Sequence, residues 1–157
     1  MSTAHQNLSQ YDSSIVPSGK GLKVSLVVSE WNAEITEGLY KGAHDTLVSH
    51  GVATENIHRI NVPGSFELIY GCKHAQKTAD VVIAIGSVIQ GETKHFDFVC
   101  QGVTQGIAQL NLNAFCPVIF CVLTDNTLEQ AQDRSGGKHG NKGVEAAVAA
   151  LKMTALK

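Results

Sequence analysis

The sequence predicts an α/β fold in which a parallel sheet lies between two layers of helices. Two nearly unbroken apolar runs, residues 80–89 (DVVIAIGSVI) and 117–124 (PVIFCVLT), have strand length and little polar alternation. Strands buried on both faces read this way. Around them apolar residues recur at steps of three and four, the period of one helix face. Strand and helix patterns then alternate along the whole chain, the mark of β-α-β units.

Each element has its own signal. Residues 22–29 (LKVSLVVS) are rich in β-branched residues and predict a strand. Asn32 offers a helix N-cap, Ile35, Leu39, Ala43 and Leu47 form one face, and His50-Gly51 is a natural stop. Residues 56–62 (NIHRINV) alternate apolar and polar, as a half-buried strand does, until Pro63-Gly64 breaks the pattern. Residues 65–78 predict a helix with Leu68, Ile69, Cys72 and Ala75 inward. After the first buried strand, Phe96, Val99, Val103, Ile107 and Leu110 mark the next helix. After the second, Thr127 and Gln130 have capping-box spacing for a short one. Val144, Val148, Leu151 and Ala155 mark the last. The class is a three-layer α/β/α sandwich, flavodoxin-like or Rossmann-like. Residues 22–157 form its one domain, and residues 1–21, polar and broken by Pro17, Gly19 and Gly21, form an arm.

Composition narrows the function. A chain of 157 residues has room for one core. Twelve basic and fourteen acidic residues give a formal charge of −2, without the basic footprint of a nucleic-acid binder. No apolar stretch approaches the roughly 20 residues that span a bilayer, and the polar N-terminus lacks the apolar core of a secretory signal. Cys72, Cys100, Cys116 and Cys121 have irregular gaps and no C-x-x-C pair. They read as free thiols of a reducing, cytoplasmic compartment. No histidines stand at i, i+4, so a metal site has little support.

Ligands of such folds bind beyond the C-terminal ends of the strands, which directs attention to the loops 29–32, 62–67, 86–95 and 124–142. Trp31, the sole tryptophan, is either a wall for a planar ligand or a residue at the rim of the core. The amides of Ser65, Phe66 and Glu67 point out of a helix N-terminus toward a carbonyl or an anion, unless Ser65 simply caps that helix. His95 follows a polar turn between Gly86 and Gly91. It is either a surface histidine or a proton carrier at neutral pH. Residues 133–143 (DRSGGKHGNKG) combine four glycines with Arg134, Lys138, His139 and Lys142. That composition suits a phosphate cradle or a flexible basic loop, and it is not a Walker A motif.

Taken together, the segments VVSEWN, VPGSFEL, GSVIQGETKHFDFV, PVIFCVLTDNTLEQAQDRSGGKHGNKG and VEAAVAALKM resemble the 6,7-dimethyl-8-ribityllumazine synthase family, from about residue 24 to the end. The resemblance implies condensation of 5-amino-6-(D-ribitylamino)uracil with 3,4-dihydroxy-2-butanone 4-phosphate, the penultimate step of riboflavin biosynthesis, with no cofactor and no metal. It implies Trp31 stacked on the pyrimidine, although phenylalanine is commoner there. Ser65, Phe66 and Glu67 would hold the ribityl chain, and Ser87, Val88 and Ile89 the uracil edge. Glu92 and Thr93 would sit beside the butanone phosphate, Arg134 on its phosphate, and Lys142 nearby. His95 would shuttle protons, and Phe120 would complete the site from a neighbouring subunit.

This chain departs from the family pattern at Glu92, where a small residue is usual. A carboxylate there would repel phosphate, so its side chain is expected to turn outward while its amide binds. Ser65 for alanine and Ser87 for threonine are mild changes. The resemblance also implies a homo-oligomer. Pentamers have sites between adjacent subunits, the arm adds a strand to a neighbour's sheet, and the short GGKHGNKG segment points to a sixty-subunit shell.

Overall fold

A computed structural model describes residues 7–114 and 116–156. Its main sheet contains β1 (Val24–Ser29), β2 (Ile57–Val62), β3 (Val81–Ile89) and β4 (Val118–Asp125), all parallel, in the order β2-β1-β3-β4. The helices α1 (Ala33–Ser49), α2 (Leu68–Ala75), α3 (His95–Leu112), α4 (Leu128–Arg134) and α5 (Lys142–Thr154) follow the strands. A flavodoxin-like three-layer sandwich is thus the observed class.

Side-chain alternation along the strands divides the core in two. Val24, Leu26 and Val28 of β1, with Val81, Ile83 and Ile85 of β3, pack on Ile35, Leu39 and Leu47 of α1 and on Leu151 of α5. Val27, Val82, Ala84, Val118 and Val122 point the other way, onto Leu68 and Cys72 of α2 and Val103 and Ile107 of α3. Strands covered on both faces have no solvent side to keep polar, hence their apolar runs. Burial pushes the thiols of Cys72 and Cys121 up to about 12, so both stay protonated and act as small apolar fillers.

Three local expectations change. Asn32 sits at the N-cap position of α1, but in the left-handed region (φ 58°, ψ 47°) and without a capping bond. Its side-chain amide donates instead to the Ser87 carbonyl at 2.9 Å. The inward face of α5 is turned from the one its large residues mark. Gly143, Ala146, Ala147, Ala150 and Leu151 are buried with Val148, whereas Ala155 is exposed. Small residues let α5 lie close against α1, and that close approach outweighs the larger apolar face. A Cβ at Gly143 would stand 2.0 Å from the Leu39 carbonyl oxygen. Gly143→Ala is therefore expected to destabilise the fold by roughly 2–4 kcal/mol, because backbone rather than a side chain must move. Thermal denaturation of the variant measures this.

The third change concerns the glycine-rich segment. Residues 135–141 form a tight antiparallel hairpin, β5 (Ser135–Gly137) and β6 (Gly140–Asn141). Gly136 (φ 130°) and Gly140 (φ 84°) adopt backbone angles that side chains disfavour. Asn141 fastens the hairpin. Its side-chain amide donates to the carbonyls of Gly38 (2.9 Å) and Ser135 (3.1 Å), and its Oδ1 accepts from the Gly143 amide (2.8 Å), capping α5.

Of the arm, residues 1–6 lie outside the described residues. Residues 7–21 contain no strand but a short 3-10 turn, Ser13–Ile15. They run along the chain's own surface. The Leu8 amide donates to the His139 carbonyl, the Asn141 amide to the Ser9 hydroxyl, and Tyr11 rests against the ring of His50. No helix among the described residues is long and apolar enough to cross a membrane.

Candidate active site

Three loops at the C-terminal ends of the central strands are bound to one another. The amides of Glu30 and Trp31 donate to the carbonyls of Val62 (2.8 Å) and Pro63 (3.2 Å), joining the loop after β1 to the loop after β2. The Asn32–Ser87 bond joins the first of these to the end of β3. Between them and the first turns of α3 opens a cleft of about 780 Å³. Among its lining residues are Trp31, Ser65, Phe66, Glu67, Ser87, Val88, Ile89, Thr93 and His95. These are nine of the residues singled out from the sequence, drawn from three separate segments.

The walls differ in character. Trp31 (72% exposed), Phe66 (53%) and Phe98 (69%) hold large rings open to solvent. Rings that could be buried but are held out can cover the faces of a planar ligand. Phe66 is supported from beneath, where a Cβ at Gly102 of α3 would meet its ring at 2.7 Å. The lining also holds polar groups. The Ser87 hydroxyl is buried and has no hydrogen-bond partner among the described residues. The amides of Ser65, Phe66 and Glu67 precede α2 and donate to no acceptor among the described residues. Ser65 does not cap: Glu67 occupies the N-cap position, without a capping bond. Gly86 keeps this turn close to β3, since a Cβ there would stand 2.7 Å from Ser65 Oγ. Gly64 makes room for the protein itself, because a Cβ there would lie 2.8 Å from a carboxylate oxygen of Glu67.

His95 is the first residue of α3, exposed, with its amide donating to the Thr93 hydroxyl at 3.4 Å. Its imidazole makes no hydrogen bond among the described residues and so is available to a ligand. Glu92 is exposed and not among the residues that line the cleft.

Arg134, Phe120 and Lys142 also lie outside that lining. Arg134 ends α4, beyond the end of β4. Its Nη1 donates to the Gln130 carbonyl at 2.9 Å, and its Nε lies 3.8 Å from Asp125 Oδ1. Thr127 caps this helix, as its spacing predicts, but Gln130 reaches back to the Asn126 amide rather than to that of Thr127. Lys142 begins α5 and pairs with Glu145 at 2.6 Å. Phe120 is half-buried in the edge strand β4, paired with Ala84 and facing the α2–α3 layer. Asp125, which carries no signal in the sequence, is the one buried charged residue among the described residues (6% exposed).

Comparison with known proteins decides the family. The family described as 6,7-dimethyl-8-ribityllumazine synthase matches residues 21–157. The chain belongs to the 6,7-dimethyl-8-ribityllumazine synthase family. Curated relatives carry that same name. The protein of Christiangramia forsetii is 62% identical over 160 residues, covering all of this chain and 95% of the relative. That of Flavobacterium johnsoniae is 59% identical, covering all of this chain and 84% of the relative. That of Porphyromonas gingivalis is 58% identical, covering 99% and 98%. Membership in the lumazine synthase family makes this an enzyme of riboflavin biosynthesis, a transferase. The family implies small-molecule substrates.

Proposed function

We propose that the cleft between Trp31, Ser65–Glu67, Ser87–Ile89 and His95 is where the ribitylaminouracil and the butanone phosphate are joined, with His95 carrying the protons and Arg134 holding the phosphate. The observation that carries this reading is the convergence of the nine residues on one cleft, where aromatic rings, unpaired polar donors and a free imidazole come together.

The chemistry follows from the groups present. The uracil amine attacks the ketone to give a carbinolamine, which loses water to become an imine. Loss of water needs a proton donor, and loss of phosphate needs a proton removed from carbon. One imidazole within reach of both centres serves each step in turn. A guanidinium on the phosphate offers paired donors to a leaving group that gains charge. The ribityl-bearing nitrogen then attacks the carbonyl unmasked by phosphate loss and a second water leaves; this closure needs the reacting ends held together, which positioning supplies. The Ser87 hydroxyl and the backbone of Val88 and Ile89 face the uracil edge. Ser65, Phe66 and Glu67 face the ribityl chain. Thr93 and the amide of Glu92 lie on the butanone side, with the Glu92 carboxylate turned to solvent.

Mixing purified protein with both substrates and following lumazine absorbance alongside phosphate release tests the reading. Stoichiometric appearance of both above the spontaneous rate is the expected result. Trp31→Ala is expected to raise KM for the pyrimidine roughly tenfold, since stacking on a base contributes about 1–3 kcal/mol. KM for the butanone phosphate should stay within about twofold.

The protein works as a homo-oligomer in the cytoplasm. Arg134, Lys142 and Phe120 stand outside the lining of the chain's own cleft, so a site that uses them draws on a neighbouring copy. Pentamers with sites shared between adjacent subunits satisfy this, each arm adding a strand to a neighbour's sheet, and twelve of them form a shell of sixty subunits. Light scattering is expected to give the mass of the shell, and a mass near five chains would leave the pentamer alone.

A further inference from the structure

We propose that Asp125 is a positioning residue for Arg134, fixing its guanidinium so that the outer N–H edge is open to the substrate's phosphate. The proposal rests on Arg134 being the phosphate grip. Asp125 is the last residue of β4 and pairs in register with Ile89, a residue of the cleft wall. The Gln90 amide donates to its carbonyl at 2.9 Å, locking the two strand ends together. Its side chain is buried, and Oδ2 has no hydrogen-bond partner among the described residues. Burying a carboxylate that is short of partners opposes folding, so packing does not account for an aspartate here.

What faces this carboxylate is Arg134. The separation from Oδ1 to Nε is 3.8 Å, and the Arg134 side chain is 36% exposed while that of Asp125 is 7%. Asp125 therefore sits on the inner side of the guanidinium, and the Gln130 carbonyl takes an Nη1 hydrogen at 2.9 Å. Both contacts restrain a long side chain at the end of a short helix. Neither uses Nη2, so the remaining N–H groups can meet a phosphate in the bidentate manner that arginine favours. Burial raises the Asp125 carboxyl above its ordinary range and Arg134 lowers it, so the two groups are electrostatically coupled.

A carboxylate near a phosphate also repels it, and tethering and repulsion predict opposite changes. The test uses Asp125→Asn, which keeps the shape and one acceptor oxygen, Asp125→Ala, which removes both, and Arg134→Ala as reference. For each, KM of both substrates, kcat and the inhibition constant of inorganic phosphate are measured in the assembled protein, with circular-dichroism melts to verify folding. Outer partners of a binding group typically contribute 10–100-fold. In Asp125→Ala, KM for the butanone phosphate and the phosphate inhibition constant are expected to rise together by roughly tenfold. Asp125→Asn should rise less, with pyrimidine KM and kcat within about twofold of wild type. The isosteric variant carries the test if the alanine variant fails to fold.

Unchanged or lowered phosphate constants in the Asp125 variants would overturn the proposal, as would equal losses for both substrates, the mark of a purely structural role. If Arg134→Ala raises KM while the Asp125 variants do not, only the role of Asp125 falls. If Arg134→Ala itself leaves KM unchanged, the phosphate grip falls and the proposal with it.

Discussion

His95→Ala is expected to lower kcat by roughly two orders of magnitude, the low end of what a positioned acid–base group contributes. KM for both substrates should stay within about threefold of wild type. The reason for a clean effect on turnover is structural. His95 is exposed at the start of α3, and its ring makes no hydrogen bond among the described residues, so its loss should leave the fold intact. The reason for residual activity is that the aromatic wall and the polar donors still bring the substrates together, and proximity alone contributes substantially. Steady-state kinetics at neutral pH measure both parts. A variant that turns over at the wild-type rate would remove His95 from the mechanism and leave positioning as the whole of it.

Arg134→Ala is the second large effect. Removing one partner of a hydrogen-bonded charge pair typically costs about 2–5 kcal/mol. The expected result is a fall of roughly a hundredfold in kcat/KM for the butanone phosphate, most of it in KM. Arg134→Lys should recover only part, because an ammonium is a point charge without the planar fork. The phosphate contribution is also screened by salt, so the gap between wild type and variant should narrow as ionic strength rises. Kinetics in graded salt separate this from a general loss of folding, which would not follow ionic strength in that way.

The sandwich was legible because each element carries a period of its own. The continuous apolar runs of β3 and β4 and the four-residue steps of α1 stand out without any tertiary knowledge. Most of the cleft was legible too, since the loops that follow buried parallel strands are where such folds bind ligands. What the sequence concealed has a common physical cause: contacts made only in the folded chain, most of them between residues far apart in sequence. Asn32 has the chemistry of a cap, yet its amide is claimed by Ser87, 55 residues on. The glycine-rich cationic segment reads as an open loop until Asn141 is seen bonded to Gly38, 103 residues away. Along α5 the large side chains suggest one face, whereas the fit of Gly143 against Leu39 selects another. Asp125 gave no signal, being a single acidic residue at a strand end whose meaning depends on Arg134.

Asn141 has a consequence for the order in which the protein matures. The hairpin that follows Arg134 is held by a carbonyl of α1 and an amide of α5. It gains those holds only when the first and last helices of the domain have met. Contacts between such distant parts of a chain form late, because the closure entropy must be met before they contribute. While the last helix is still inside the ribosome, the hairpin after Arg134 lacks both holds. That support comes only with chain closure. A half-made chain would offer a neighbouring cleft an Arg134 whose surroundings are not yet set.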